Sequence, residues 1–302
     1  MAAMCGFRSL PSVLNTTGTR RRRKKQIKSE KTLLTKDQWV ILLIVSALTL
    51  VAWVYLAALS SADMAGMSMD MTGAADPEME RQMAARLQSA AFTPTVPAFS
   101  MFVPMWVVMC VGMMLPTAVP MFFAYHTVSK RRGGGRGAAL AVAWFVLGYL
   151  LLWALFGLAC FAVGTLIIGW AGAAVTSWAG SMAGVAVIFL FAGVYQLTPL
   201  KNACLKGCRH PLQFVLNKWK DGAAGALIMG MRHGVECIGC CWALMLVLFP
   251  LGMMNLFWMG IFTVIMFFEK NNKFGIVICK ATGTLLLIAG GVILAVSLMK
   301  MI

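Results

Sequence analysis

Long apolar runs alternate along this chain with short polar segments, several of which are basic. The runs 39–59 and 137–200 contain no charged residue at all. A helix needs about 20 apolar residues to cross roughly 30 Å of hydrocarbon, and it satisfies its backbone hydrogen bonds internally. The pattern therefore predicts an all-α fold, a polytopic transmembrane helical bundle.

The apolar runs divide into about seven predicted spans. The run 137–200 is long enough for two spans, which we expect to join at the glycine-rich turn near 164–172. Pro250 and Gly252 interrupt the next run, which predicts a helix followed by a short return helix. Six spans are the alternative, with 237–268 as one long helix. The predicted spans are 39–59, 99–125, two within 137–200, 222–249, 254–268 and 274–298.

Charge orders the chain into four predicted parts. Lys and Arg concentrate before the first span and in the loops 130–136 and 201–220, and loops with this bias face the cytoplasm. The segment after the first span is net acidic, as expected on the outer side. We therefore predict a bacterial inner (cytoplasmic) membrane protein with a cytoplasmic N-terminus. The parts are a basic tail (1–38), the first transmembrane anchor (39–59), an outer Met-rich linker (60–98) and a multi-span membrane domain (99–302).

Composition excludes several classes of protein. The 302 residues are 60% hydrophobic and 12% charged, whereas soluble proteins average roughly 25% charged. The net charge of +16 lies mainly in the tail and the short loops, so it indicates orientation in a lipid bilayer and no nucleic-acid partner. The sequence has no Walker-type phosphate loop and no segment left for a soluble catalytic domain, which favours a binding or transport protein over an enzyme.

Five of the nine cysteines fall into two groups near the predicted cytoplasmic face. His233, Cys237 and Cys240 lie on one face of the fifth predicted span, because helical residues advance by about 100°. Thiols in the cytoplasm stay reduced, so metal ligands or redox-active thiols are favoured over structural disulfides. Thiolate and imidazole ligands suit Cu(I), zinc or a related soft or borderline ion, so they indicate the class of metal and not the metal itself. The two groups are Cys204 with Cys208, and Cys237 with Cys240 and Cys241.

Methionine supplies a second candidate set of soft ligands. A thioether needs no deprotonation, so it can hold Cu(I) in an oxidising compartment. One methionine group lies in the predicted outer linker. Another recurs every fourth residue along the second span, where it either packs against neighbouring helices or forms a pathway that starts outside and runs inward. The linker group is Met64, Met67, Met69 and Met71, and the pathway group is Met101, Met105, Met109 and Met113.

Polar side chains inside the predicted membrane domain are candidates for supporting roles. Arg232 and Glu236 are four residues apart on the fifth span, so they could pair with each other or orient His233. Asn255 and Glu269 are polar residues at predicted helix ends. Gly230 and Gly234 form a small-xxx-small pattern, which predicts close approach of another helix to the thiol-bearing face.

Several strings together resemble a bacterial family of predicted metal-binding integral membrane proteins, a domain of unknown function. The strings include AGVYQLTPLK at 192–201, GCCWALM at 239–245 and FEK at 268–270, and the resemblance covers about residues 100–298. It implies metal binding without a defined reaction. The matching positions are Cys204, Cys208, Cys237, Cys240 and Cys241, with Asn255, Glu269 and Lys270 as polar members at helix ends.

The sequence therefore favours a membrane protein that binds a soft metal ion, Cu(I) first, in copper homeostasis or delivery. A copper chaperone or a cuproprotein complex would then be its partner. One alternative is a membrane thiol–disulfide oxidoreductase, in which the paired cysteines shuttle electrons. Another is a non-catalytic scaffold subunit for assembly of a partner complex.

Overall fold

The computed structural model describes residues 35–68, 96–133, 137–252 and 255–300. The chain divides into two units, Met1–Trp39 and Val40–Ile302, and the first is described from Thr35 onward. Helices make up the described secondary structure, so the predicted all-α class is confirmed. The helices are α1 (Lys36–Ser68), α2 (Val96–Arg132), α3 (Ala138–Gly180), α4 (Met182–Leu197), α5 (Pro199–Arg209), α6 (Pro211–Asn217), α7 (Gly222–Leu251), α8 (Leu256–Asn271) and α9 (Gly275–Met299).

Within these residues, five helices are long and apolar enough to cross a membrane, namely α1, α2, α3, α7 and α9. A sixth span results if α4 and α5, which are bent by 63° at their junction, count as one. Sequence analysis predicted seven spans because it counted α8. With 16 residues, α8 is about 24 Å long, which is shorter than the roughly 30 Å hydrocarbon layer.

The break between α3 and α4 lies later than the predicted turn near 164–172. The helix continues through those glycines to Gly180, and Ser181 then caps α4 by accepting a hydrogen bond from the Gly184 amide at 3.2 Å. A glycine inside a helix costs only about 1 kcal/mol, so it need not end a helix. A serine that satisfies an unpaired amide is the stronger local signal.

The predicted loop 201–221 is also mostly helical, because α5 and α6 occupy it. Thr198 caps α5 by accepting a hydrogen bond from the Lys201 amide, and Pro199 takes the first helical position, where a missing N–H costs nothing. The resulting α5 is amphipathic and packs extensively on α7.

The bundle is centred on α2, α3 and α7. The pairs α3·α7 and α4·α9 pack most extensively, followed by α2·α3. Gly148 on α3 faces the Leu227 backbone, and Gly230 on α7 faces the Phe145 backbone, so a Cβ at either glycine would collide with the other helix. Gly234 likewise faces the Leu152 side chain. The predicted close approach at Gly230 and Gly234 is confirmed, and the partner is α3.

Candidate metal centre

The inward face of α7 carries the cysteines that the sequence pattern singled out. His233, Cys237, Cys240 and Cys241 are all buried, with 2%, 1%, 1% and 1% of their surface exposed. The helix runs unbroken from Gly222 to Leu251, so the helical period predicted from the sequence holds across these positions. One helix therefore brings three thiols and an imidazole into the interior of the bundle.

A fourth thiol comes from α5. The Cys208 and Cys240 Sγ atoms are 3.9 Å apart, and the Cys240 and Cys241 Sγ atoms are 3.3 Å apart. Cys237 also interacts with the thiols of Cys208, Cys240 and Cys241. These four cysteines, called the thiol cluster below, are all free. Two sulfurs that share one metal at bonds of about 2.3 Å lie about 3.8 Å apart at the tetrahedral angle, so the Cys208–Cys240 spacing suits a shared ion.

Cys204 lies one helical turn before Cys208 on α5 and is half-buried. Its Sγ atom sits over Gly239 of α7, in space that any larger residue there would fill. The Tyr195 hydroxyl donates a hydrogen bond to the Gly239 carbonyl, which ties α4 to the same point. Cys204 therefore packs on α7 beside the position that precedes Cys240, and it is more exposed than the four thiols of the cluster.

One buried cation contacts the thiol cluster. The Lys270 ammonium, at the end of α8, donates to the Cys237 Sγ atom at 3.2 Å and to the Thr117 hydroxyl at 3.0 Å. It also lies 3.9 Å from the Met114 Sδ atom. The Tyr149 hydroxyl, from α3, is 3.0 Å from the Cys237 Sγ atom on another side. Cys237 is thus held by groups from α3 and α8 as well as by its neighbouring thiols.

A second buried lysine is paired with a carboxylate next to this region. The Lys201 ammonium lies 2.7 Å from the Glu269 Oε2 atom, and both side chains are almost fully buried, at 0% and 1% exposed. Gln196 bridges the pair, since its amide donates to Glu269 at 2.8 Å and its carbonyl accepts from Lys201. The network joins α4, α5 and α8 immediately beside Lys270. Glu269 and Lys270 lie at a helix end as predicted, but both are buried.

His233 is enclosed by aromatic rings. Its imidazole stacks on Tyr149 at 5.3 Å between ring centroids and on Phe145 at 6.0 Å, and it meets Phe214 edge-on. Its Nδ1 atom is buried with no hydrogen-bond partner among the described residues. The imidazole also interacts with Cys237. Its role as a metal ligand stays a prediction.

The other predicted supporting residues have structural partners. Glu236 accepts a hydrogen bond from Lys218 rather than from Arg232, which is exposed. Glu236 is therefore tied to Lys218, in the segment between α6 and α7. Asn255 caps α8, because its Oδ1 atom accepts from the amides of Phe257 at 3.1 Å and Trp258 at 3.3 Å.

The predicted pathway methionines become progressively buried along α2. Met101 is 75% exposed, Met105 is half-buried, and Met109 and Met113 are buried. The outer group falls outside this description: Met69 and Met71 lie outside the described residues, as do the side chains of Met64 and Met67.

A neighbouring face of α2 contacts the thiol cluster region. Cys110 interacts with Cys237, and Met114 and Thr117 contact Lys270. At about 100° per residue, these three α2 positions fall within about 60° of one another, and Met113 lies about 100° from Met114 but only about 40° from Thr117. Sequence reasoning missed Thr117 and Tyr149, which carry no local signal of function. Gln196, Lys201 and Lys270 belong to the strings that resemble the family. Membership of those strings was the sequence feature that could have marked them as functional.

Within the described part of the chain, no group of three or more His, Cys, Asp or Glu side chains stands in positions from which it could hold a metal ion together. The sulfur pairs described above supply two ligands each, Cys208 with Cys240 and Cys240 with Cys241. Cu(I) accepts as few as two thiolate ligands, whereas structural zinc takes four ligands. Two thiolates would therefore be enough for Cu(I), whereas a structural zinc site would need two further ligands.

Comparison with known proteins gives one family. A model of the family PpoB2, described as copper chaperone, matches residues 103–293. This range includes the thiol cluster, Lys270 and the buried Lys201–Glu269 pair. No curated protein and no solved structure matches the chain.

Proposed function

The chain belongs to the PpoB2 copper chaperone family, and from this membership we propose that it is a membrane-embedded copper chaperone. In this proposal it binds Cu(I) at the thiol cluster and passes the ion to a protein acceptor. The acceptor is a cuproprotein or a second copper chaperone, and the membrane is the bacterial inner membrane with the N-terminus in the cytoplasm.

The observation that carries the proposal is the convergence of four free thiols from two helices. Cys208 reaches α7 from α5, and its Sγ atom lies 3.9 Å from that of Cys240. A disulfide bond is about 2.05 Å long, so these sulfurs are near neighbours without being bonded. Soft, reduced sulfur in a dry interior favours Cu(I) over Mg²⁺ or Ca²⁺, which require oxygen ligands.

Transfer between thiols gives the proposed mechanism. Cys204 is more exposed than the thiol cluster, so it binds the incoming ion first and transfers it to the buried Cys208 and Cys240. At each exchange one copper–sulfur bond forms and one breaks, while the copper stays Cu(I). The thiol that becomes a ligand loses its proton, and the sulfur that releases copper regains one. Exchange of this kind needs no nucleotide, so the direction of flow follows the affinity of the acceptor.

The methionines extend this proposal towards the other membrane face. Met101 to Met113 on α2, together with the linker methionines, would supply thioether ligands to Cu(I) on the outer side. The increasing burial from Met101 to Met113 supports a pathway along α2 between the surface and the interior, usable in either direction. His233 would serve as a nitrogen ligand beside Cys237.

Copper binding by purified protein tests the proposal. We expect the full chain, reduced and anaerobic in detergent, to bind Cu(I) at a defined stoichiometry. The double variant C208S/C240S should lose that copper, because it removes the sulfur pair at 3.9 Å. C160S is the matched control, since Cys160 is a free, half-buried cysteine on α3 outside the thiol cluster. Retention of full copper binding by C208S/C240S would contradict the site assignment.

Alkylation distinguishes the chaperone from a thiol–disulfide oxidoreductase. For the chaperone, Cu(I) should protect Cys204 and Cys208 from alkylation, and redox buffers should not. For an oxidoreductase, mild oxidation should form a reversible disulfide between two of the five clustered cysteines. The oxidoreductase would be favoured if oxidation, and not Cu(I), protected these cysteines from alkylation.

A further inference from the structure

We propose that Lys270 is the fixed counter-cation of the copper–thiolate centre and that its charge makes the centre prefer a monovalent ion to a divalent one. The inference rests on the proposed function and deepens it, because it names the group that selects between Cu(I) and zinc.

The position of Lys270 is the first support. Its ammonium is held by the Thr117 hydroxyl at 3.0 Å and touches the Cys237 Sγ atom at 3.2 Å. The side chain is 4% exposed, so water does not screen its charge from the sulfurs. A buried charge acts on its neighbours far more strongly than one in water.

The partners of Lys270 are the second support. Lys201, the other buried lysine, is neutralised by Glu269 at 2.7 Å. Among the described residues, Lys270 instead contacts a hydroxyl, a thioether and a thiol. The acidic groups that bear on its charge include the four thiols of the cluster and the Tyr149 phenol. Its positive charge is therefore available to balance negative charge on the sulfurs.

Charge counting gives the consequence for metal choice. Two thiolates around Cu(I) carry a net charge of −1, and the same two around Zn(II) carry none. For any number of thiolates, the monovalent centre is more negative than the divalent one by one charge. A net charge in a dry interior is costly unless it is paired. A fixed ammonium beside Cys237 therefore stabilises the Cu(I) centre relative to the Zn(II) centre.

The alternative is that Lys270 only helps the helices to pack. The ammonium joins α8 to α2 through Thr117, so its loss could loosen that contact. A packing role would weaken the binding of both metals alike. A charge role changes the ratio of the Cu(I) and Zn(II) affinities, and this ratio separates the two explanations.

The test measures the affinities of the full chain in detergent for Cu(I), against a competing Cu(I) chelator, and for Zn(II). K270M removes the charge, and we expect Cu(I) binding to weaken relative to Zn(II) by about tenfold or more. K270R keeps the charge and should keep the wild-type ratio. K280M is the matched control, because Lys280 is an exposed lysine on α9, and it should leave both affinities unchanged.

K270Q covers the case in which K270M does not fold, since the glutamine amide can still donate to Thr117. It should shift the ratio in the same direction. An unchanged ratio in K270M or K270Q, with Cu(I) still bound by the wild type, overturns the role of Lys270 and leaves the chaperone proposal standing. A wild-type protein that binds no Cu(I) overturns both.

Discussion

Charged side chains buried in the interior of this protein depend on their partners for stability. Lys201 and Glu269 are both almost inaccessible to solvent. The Gln196 side chain adds a hydrogen bond to each of them, since its amide donates to the Glu269 Oε1 atom and its carbonyl accepts from Lys201. A buried ion pair contributes little compared with an apolar replacement, but removal of one partner leaves an uncompensated charge. Glu269 therefore positions Lys201, and it sits directly before Lys270 in the last turn of α8.

The variant E269Q tests this pair. It keeps the shape of the side chain and leaves Lys201 charged and unpaired, so we expect the free energy of unfolding to fall by about 3–5 kcal/mol. The measurement is the thermal unfolding midpoint of the detergent-solubilised protein. E236Q is the control, because its partner Lys218 is 40% exposed, and partly exposed pairs contribute at most about 1 kcal/mol. Equal midpoints for E269Q and E236Q would contradict the prediction.

Close contact between helices is decided by small residues. Gly148 and Gly230 let α3 and α7 approach until backbone meets backbone, and this contact brings Tyr149 within reach of Cys237. At the other side of the thiol cluster, the Thr198–Pro199 junction starts α5 and turns it by 63° from α4. This bend directs Cys208 towards Cys240. Two local features therefore bring together residues that are far apart in the chain.

The variant G230A tests the α3·α7 contact. An added Cβ would collide with the Phe145 carbonyl, and overpacking of this kind costs about 1–3 kcal/mol. The unfolding midpoint should fall, and the Tyr149–Cys237 contact should loosen, seen as faster alkylation of Cys237. G291A is the control, since a Cβ at Gly291 meets nothing within 4 Å. Alanine is the better helix former by about 1 kcal/mol, so G291A should be neutral or slightly stabilising.

At the scale of the whole molecule, the distribution of charge predicts the orientation of the bundle. The predicted spans place the basic tail and the basic loops at 130–136 and 201–220 on one face of the membrane. They place the acidic linker on the other face. This distribution predicts a cytoplasmic N-terminus. Orientation matters for function, because it decides which membrane face carries Cys204 and which carries Met101.

Reporter fusions test the orientation. A periplasm-dependent phosphatase fused after residue 80, in the linker, should be active, and the same reporter fused at 134, in the basic loop, should be inactive. A cytoplasm-dependent fluorescent reporter at the same two positions is the control and should give the opposite pattern. Phosphatase activity at 134 alone would contradict the predicted orientation and would place Cys204 on the outer side.

The sequence alone determined the helical class, most of the spans and the shared face of Cys237 and Cys240. These features depend on local periodicity and on the length of apolar runs, and both can be read from one segment at a time. It also predicted a separate short helix at 254–268, which corresponds to α8 (Leu256–Asn271). It did not determine where α3 ends, because the Ser181 cap competes there with the propensity of the glycines before it. The family resemblance marked Cys208 and Lys270 without saying what they contact.

Only the tertiary structure brought Cys208, Tyr149 and Lys270 to the α7 thiols. These residues lie on three other helices, and each contact depends on close packing and on bends elsewhere in the chain. The same holds for the two buried lysines, which look alike in sequence. The structure separates them because Glu269 neutralises Lys201, whereas the Lys270 ammonium faces sulfur.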